Sequence, residues 1–474
     1  MSLALLMPGF VGTELPSWLE RRLRDGLGGV CIFGMNVVSP QQLTELTAAI
    51  YAANPHAIIA IDEEGGDVSR LYQAQGSPFP GNAVLGRLVD AGLTERVGAQ
   101  VGWELREAGV SLTLAPDADV NSNPLNPVIG VRSFGTDPHA VAEHVAAWTR
   151  GIEATGVASC AKHFPGHGDT SADSHHALPV IDADEETVRE RELVPFRAAI
   201  AAGARTIMTS HIVVPALDPH NPATFSRRIL TDLLRSELGF DGVIVTDALD
   251  MAGASADRGI PAAAVAAVAA GAEFLCLGTR NTDQQLTEIV EALDAAVSDG
   301  TLPSAVVETA AAHVRQLGAE LARERAEIVV PEHGANGEIP GLTAGVVASA
   351  FEVSQSARQL FASNAGAPLA WVELDTTPNM AVGPAPWGPF AAGVTPTVEP
   401  AQGALVVAVG KDLQRHPGAA DRIAQLAQRN DVLVVEMGWP HPADTTFHIA
   451  TYGASRLVGE ALIDLIGHDT CVWE

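Results

Sequence analysis

The residues richest in chemistry stand close together in one run, Lys162-His163-Phe164-Pro165-Gly166-His167-Gly168-Asp169-Thr170-Ser171-Ala172-Asp173-Ser174-His175-His176. Pro165, Gly166 and Gly168 are incompatible with a regular helix, so the run reads as a long loop, and ionisable loops of this length in compact domains usually carry function. Two chemistries compete for it. In the first, His163, His167 and Asp169 bind a metal that activates water. Against it stand the absence of a His-Glu-x-x-His pattern and the glycines on both sides of His167, which lend a ligand no rigid support. In the second, Asp173 orients His175. The carboxylate holds one ring nitrogen, and the other, near ~6.5 when unperturbed, donates a proton to a leaving oxygen and later takes one from water. A hydrogen bond that only braces the loop is the plain alternative for this pair.

Other polar residues share a position relative to apolar runs. Asp62-Glu63-Glu64-Gly65-Gly66, Asp117 with Asp119, Lys162-His163, Ser210-His211 and Asp247 each lie just beyond the end of such a run. Runs of this kind recur at Leu3 to Met7, Gly29 to Phe33, Ala57 to Ile61, Ser111 to Ala115, Val157 to Ala161, Thr206 to Thr209, Gly242 to Thr246 and Glu273 to Leu277. Helical segments lie between them, at Pro40 to Ala53, Pro138 to Thr155, Glu185 to Ala202, Ser226 to Leu238 and Pro261 to Ala270. Ser39-Pro40 and Asp137-Pro138 supply a capping side chain followed by a proline at the first helical position. Eight strands alternating with helices predict an α/β fold, an eightfold β/α barrel, in which the ends of the strands converge on one face.

The barrel is expected over residues 1–330. A linker at 331–345, rich in glycine and proline near its start, then leads to a smaller α/β layered domain at 346–474. The strand candidates there are Leu369 to Glu373, Ala404 to Val409 and Val432 to Met437, and the helical runs are Gly418 to Gln428 and Ala454 to Ile466. A length of 474 residues with 47% apolar content supports two buried cores, and the net charge of −29 disfavours nucleic acid and anionic lipid as partners. Cys31, Cys160, Cys276 and Cys471 are far apart, as expected of reduced thiols. The N-terminus lacks a basic leader and no stretch is long enough to span a bilayer, so a cytoplasmic protein, a monomer or homodimer, is expected.

The motifs KHFPGHGDT, DSH and VTDALDM (245–251), with IDEEGG (61–66), LAPDADVNSNPLNPVIGVRSFG (114–135), MTSHI (208–212) and PATFS (222–226), resemble glycoside hydrolase family 3 in its β-N-acetylhexosaminidase branch. The resemblance spans the whole expected barrel and extends, less distinctively, into the second domain of two-domain members. It implies a retaining, exo-acting enzyme without metal or organic cofactor, acting on a small carbohydrate from muropeptide or chitin. Asp247 would be the nucleophile, and His175, oriented by Asp173, the acid/base. Asp62, Arg132, Lys162 and His163 would bind sugar hydroxyls, with Asp119, His211 and Met251 lining the pocket. For Arg132 a salt bridge to a nearby aspartate is the structural alternative. Phosphorolysis of the same glycosides is the alternative fate of the intermediate. Asp250 is expected only to place charge at the start of a helix, with His167 and Asp169 shaping the loop. Asp67 stands where the family usually has arginine, although Arg70 follows, and is expected to alter the charge at the mouth, which leaves the aglycone preference open.

Overall fold

The computed structural model describes residues 1–170, 178–256, 258–331, 338–375, 382, 387–441 and 446–467. Every apolar run counted above overlaps a strand: β1 (Leu6–Met7), β2 (Gly29–Ile32), β3 (Ile58–Ile61), β4 (Leu112–Thr113), β5 (Cys160–Phe164), β6 (Thr206–Thr209), β7 (Val243–Val245) and β8 (Leu275–Cys276); β5 begins late in its run and continues through Lys162 and His163, residues expected beyond it. All pair in parallel, in the sets β2-β3-β4, β5-β6-β7 and β1-β8. Single parallel bridges, Leu112 to Ala158 and Val245 to Phe274, connect these sets, and the Cys31 amide donates to the Pro8 carbonyl at 3.0 Å beside β1. Each strand therefore neighbours the next in sequence, and the last returns to the first.

Both faces of these strands are buried, which is why they read as continuous apolar runs. Ile58, Ala60, Val243 and Val245 join Met7, Cys31, Cys160, Met208 and Cys276 in one apolar cluster, while Ile59, Ile61 and Ile244 point the other way into the larger core under the helices. The two-residue alternation of a strand separates these two cores.

Helices begin where the caps predict. Ser39 Oγ accepts the Gln42 amide at 3.2 Å ahead of the helix Pro40–Ala53, and Asp137 Oδ1 accepts the amides of His139 and Ala140, both at 2.9 Å, ahead of Pro138–Glu153. The helix expected over 185–202 is interrupted. A wide π-type turn at Val188–Glu192 separates Glu185–Thr187 from Leu193–Ala201, and Pro195, which has no amide for the Arg191 carbonyl, accounts for the altered pairing. The segment Arg228–Glu237 is also π-type.

The remainder of the chain forms a five-stranded sheet. In chain order its strands are β9 (Glu352–Val353), β10 (Leu369–Glu373), β11 (Leu405–Gly410), β12 (Asp431–Glu436) and β13 (Ile449–Ala450), and across the sheet the order is β10-β11-β12-β13-β9. The pairs are parallel except β9 with β13. Sequence patterning finds the three longer strands and misses β9 and β13, whose two residues are too few to show alternation.

The two parts share a core. Ala83, Val84 and Val131 from the first pack with Val407, Val435 and Leu462 of the second, and the Arg87 guanidinium lies 3.9 Å above the Tyr452 ring. Cys31, Cys160 and Cys276 are buried and unpaired, as expected, whereas Cys471 lies outside the described residues. Among the described residues no helix is long and apolar enough to cross a membrane.

Candidate active site

The carboxyl ends of the strands surround a cavity of about 260 Å³. Asp62 follows β3, Lys162 and His163 belong to β5, Asp247 stands two residues after β7, and Arg132 ends a short turn, Gly130–Arg132. All five line the cavity, together with Met251, so Asp247 shares one space with Lys162 and Arg132. Leu114, Met208 and Cys276 supply apolar lining, as do Phe33, Val68 and Val128. A volume below the ~300–1,000 Å³ of drug-sized pockets matches a ligand of about one sugar ring.

The polar lining is a connected array of charges. Lys162 Nζ lies 3.0 Å from Asp62 Oδ1 and 2.7 Å from Glu64 Oε1. Arg132 grips Glu64 through both forks, Nε to Oε2 at 3.0 Å and Nη2 to Oε1 at 2.7 Å, and its Nη2 is 3.7 Å from Asp117 Oδ2. Arg70 Nη2 reaches Asp62 Oδ2 at 3.4 Å. Burial opposes ionisation of Glu64, but Arg132 and Lys162 outweigh it and hold the carboxyl at about 2. Asp62 is likewise pushed below the usual range by Lys162 and Arg70 against its burial. Burial disfavours the Lys162 ammonium too, yet Glu64 and Asp62 raise its pKa. These groups therefore stay charged across the ordinary pH range, and their mutual pairing fixes their geometry before any ligand arrives.

Asp119 and His211, expected in the lining, lie fully buried behind it. Asp119 Oδ2 bonds His163 Nδ1 at 2.7 Å, and its Oδ1 accepts the backbone amides of His163 (3.2 Å) and His167 (2.6 Å). His163 overcomes the effect of burial and lowers the Asp119 pKa. Asp119 thus orients one wall residue and anchors the next turn of chain. His211 contacts Thr224 Oγ1 at 2.9 Å and, at 3.1 Å, the carbonyl of Ala248, the residue that follows Asp247. Asp247 itself accepts the Ala248 amide on Oδ1 at 2.8 Å and is partly exposed. Asp173 and His175 lie outside the described residues.

The metal set read from the loop is not gathered. Asp169 is engaged by Arg191 at 2.5 Å, and the His163 and His167 rings meet edge to face with centroids 5.9 Å apart. Among the described residues Asp117, Asp119 and His163 bring ligand atoms within 4.8 Å of one another. That trio already faces Arg132 through Asp117 and contains the Asp119–His163 hydrogen bond. Burial and the neighbouring Asp119 push the Asp117 pKa up, while burial pulls His167 down to about 4, leaving that ring neutral at pH 7.

The family model described as the glycosyl hydrolase family 3 N terminal domain matches residues 13–317. The chain belongs to glycosyl hydrolase family 3. This membership makes it a glycoside hydrolase, with an α/β fold of parallel sheets. Beta-hexosaminidase A of Pseudoalteromonas piscicida is 42% identical over 265 residues, a match covering 51% of this chain and 44% of that protein, so less than half of that relative is spanned. A beta-hexosaminidase of Stenotrophomonas maltophilia is 39% identical over 282 residues, covering 57% of this chain and 82% of its own length. Among solved structures, a glycoside hydrolase family 3 β-N-acetylglucosaminidase from a Paenibacillus species superposes with a TM-score of 0.85 at 30% identity, covering 98% of this chain and 96% of that one.

Several lining residues of this family 3 hydrolase escape sequence reasoning. Glu64 belongs to an acidic run whose first residue alone is assigned, and alternation along an extended segment is the signal that pairs it with Asp62 on one side, leaving Glu63 on the other. Arg70, His167 and Asp250 line the cavity as well. Asp250, expected only as a charge at a helix start, is exposed at the rim and accepts the Thr279 amide at 3.2 Å. Asp67, expected to alter charge at the mouth, is not among the residues that line the cavity. Its carboxylate is held by Lys411 and by the Ala454 amide, the latter at 2.8 Å, both from the second part of the chain.

Proposed function

We propose that this chain is a retaining, exo-acting β-N-acetylhexosaminidase that removes terminal N-acetylglucosamine from muropeptide- or chitin-derived glycosides, on an eightfold β/α barrel followed by a smaller layered α/β domain. The observation that carries the reading is the gathering of Asp62, Arg132, Lys162 and His163 around one small cavity that also contains Asp247. The beta-hexosaminidase names of its relatives support the substrate class.

In this reading Asp62, Lys162, Arg132 and His163 hold the hydroxyls of the terminal sugar by charge-assisted hydrogen bonds, while Met251 contributes an apolar side. The ring is then fixed with its anomeric carbon over the Asp247 carboxylate, and positioning supplies a large share of the rate. Asp247 attacks that carbon, the bond to the leaving oxygen breaks, and His175, oriented by Asp173, protonates the departing oxygen. Water, deprotonated by the same histidine, then attacks the glycosyl-aspartate ester and releases the sugar with its starting configuration.

The test is a trapped intermediate. A slow fluorinated N-acetylglucosaminyl donor is incubated with the enzyme, and the labelled peptide is identified by mass spectrometry. Attachment at Asp247 supports the reading, whereas labelling elsewhere, or turnover that inverts the anomeric centre, sinks it. Running the unlabelled reaction with added phosphate and watching for sugar 1-phosphate distinguishes hydrolysis from phosphorolysis.

A further inference from the structure

Two residues from the second part of the chain reach the loops that carry the cavity's cations. Arg415 Nη2 donates to the backbone carbonyls of Leu125 (3.1 Å) and Asn126 (2.6 Å). Asn126 is a junction. Its Oδ1 accepts the amides of Val128 (2.9 Å) and Ile129 (2.8 Å), and its Nδ2 donates to the carbonyls of His167 (2.9 Å) and Gly168 (3.0 Å). One buried side chain thus joins the strand of chain leading to Arg132 with the root of the loop that continues toward His175. The Arg132 amide in turn bonds the Ile129 carbonyl at 2.9 Å, and Val131 is packed into the core of the second part.

The platform that presents Arg415 is itself held. The buried Glu436 carboxylate, at the end of β12, accepts the amides of Asp412 (2.7 Å) and Leu413 (2.8 Å), and the Arg415 amide closes the turn on the Asp412 carbonyl at 2.9 Å. Lys411, adjacent to this turn, takes Asp67, three residues ahead of Arg70. Both arginines that face the cavity therefore sit on segments tied to one turn of the C-terminal sheet.

We propose that Arg415 is a positioning residue for the sugar site, acting through Asn126, and that the second domain serves this enzyme by fixing the arginine-bearing loops against the cavity. The proposal rests on the glycosidase reading above. Arg415 touches no substrate. Its two bonds hold the Asn126 junction in register, and small displacements of groups that grip a substrate are costly in rate and affinity.

The test compares the full-length wild type with R415A, R415K and R422A. Arg422 is the control, because its bonds to Gln425 and to the Val398 carbonyl stay within the second part. The readouts are KM and kcat on 4-nitrophenyl N-acetyl-β-glucosaminide, the inhibition constant of free N-acetylglucosamine, and the thermal midpoint. R415A is expected to raise KM and the inhibition constant roughly tenfold, with a smaller change in kcat and a midpoint near that of R422A. R415K, which keeps a charged N–H donor group but not the guanidinium fork, is expected to recover part of the loss, and it is read in the same way should the alanine variant not fold. R415A and R415K matching R422A in KM and inhibition constant overturn the positioning role alone. A wild type that neither binds the amino sugar nor turns over its glycosides overturns the functional reading on which it rests.

Discussion

Replacing Glu64 by glutamine removes the negative charge between Arg132 and Lys162 and keeps the side chain's shape. Glu64 is 3% exposed, so solvent screening takes little from its interactions. Its pKa falls from an ordinary 4.5 to about 2, and at 1.36 kcal/mol per pH unit this depression is worth about 3 kcal/mol of folded-state stability. That agrees with the ~3–5 kcal/mol expected when one partner leaves a buried ion pair. The pH dependence follows from the sign. Because the folded-state value is depressed, the stabilisation is complete above the unfolded value near 4.5 and is lost as pH falls toward 2. Denaturant titrations of wild type and E64Q should differ by about 3 kcal/mol at pH 7 and pH 5, and by about half of that at pH 3. The variant should also raise KM more than it lowers kcat, since two cations then face each other across the sugar site. A variant as stable as wild type at pH 7, or a gap that stays constant down to pH 3, would refute this account of the array.

Asp247→Ala should reduce turnover of an aryl N-acetylglucosaminide by several orders of magnitude while circular dichroism and the thermal midpoint stay near wild type, because the side chain is partly exposed and lines the cavity rather than a packed core. Substantial residual activity would remove it from the nucleophile role. Glu63 behaves opposite to Glu64. Burial raises it to about 7 despite the amides of Arg70 and Leu71 and the Ser69 hydroxyl on its Oε2, so its contribution is full below pH ~4.5 and fades as pH rises through 7. Glu63→Gln should therefore match wild type near pH 4 and exceed it by about 3 kcal/mol at pH 9, measured by denaturation. Equal stability at pH 9 would count against a buried, protonated Glu63. Chelation should leave the rate unchanged, and loss with EDTA that zinc restores would revive a metal role for the histidine loop.

The parallel strands and the helices with Ser39 and Asp137 caps are legible because local signals dictate them: buried runs of the right length, and a capping side chain before proline. The convergence of Asp62, Lys162 and Asp247 is legible because residues at the strand ends in such a fold meet on one face, whereas Arg132, in a turn far beyond β4, is legible only through the family resemblance. Glu64 and Arg70 escape because what brings them to the cavity is their pairing with Arg132, Lys162 and Asp62, contacts made across as many as 98 residues (64 to 162). Asp119 and His211 are misplaced for a related reason. Composition marks them as polar and near a strand end, but only the fold decides whether such a residue faces the ligand or the side chain that does. Asp67 lies beyond local reach altogether, since its partner Lys411 is 344 residues away.

The order of strands in the C-terminal sheet bears on how the protein is made. β9 is the first of the five to leave the ribosome, yet it occupies an edge whose partner among the described residues, β13, begins at residue 449, 96 positions after Val353. At translation speeds of ~5–20 residues per second the nascent chain carries an uncommitted edge for roughly 5–20 s. Glu352 and Val353 then pair only after Ile449 and Ala450 have been made, so this sheet, whose core takes in Val131 beside Arg132, closes after all its other strands have been synthesised.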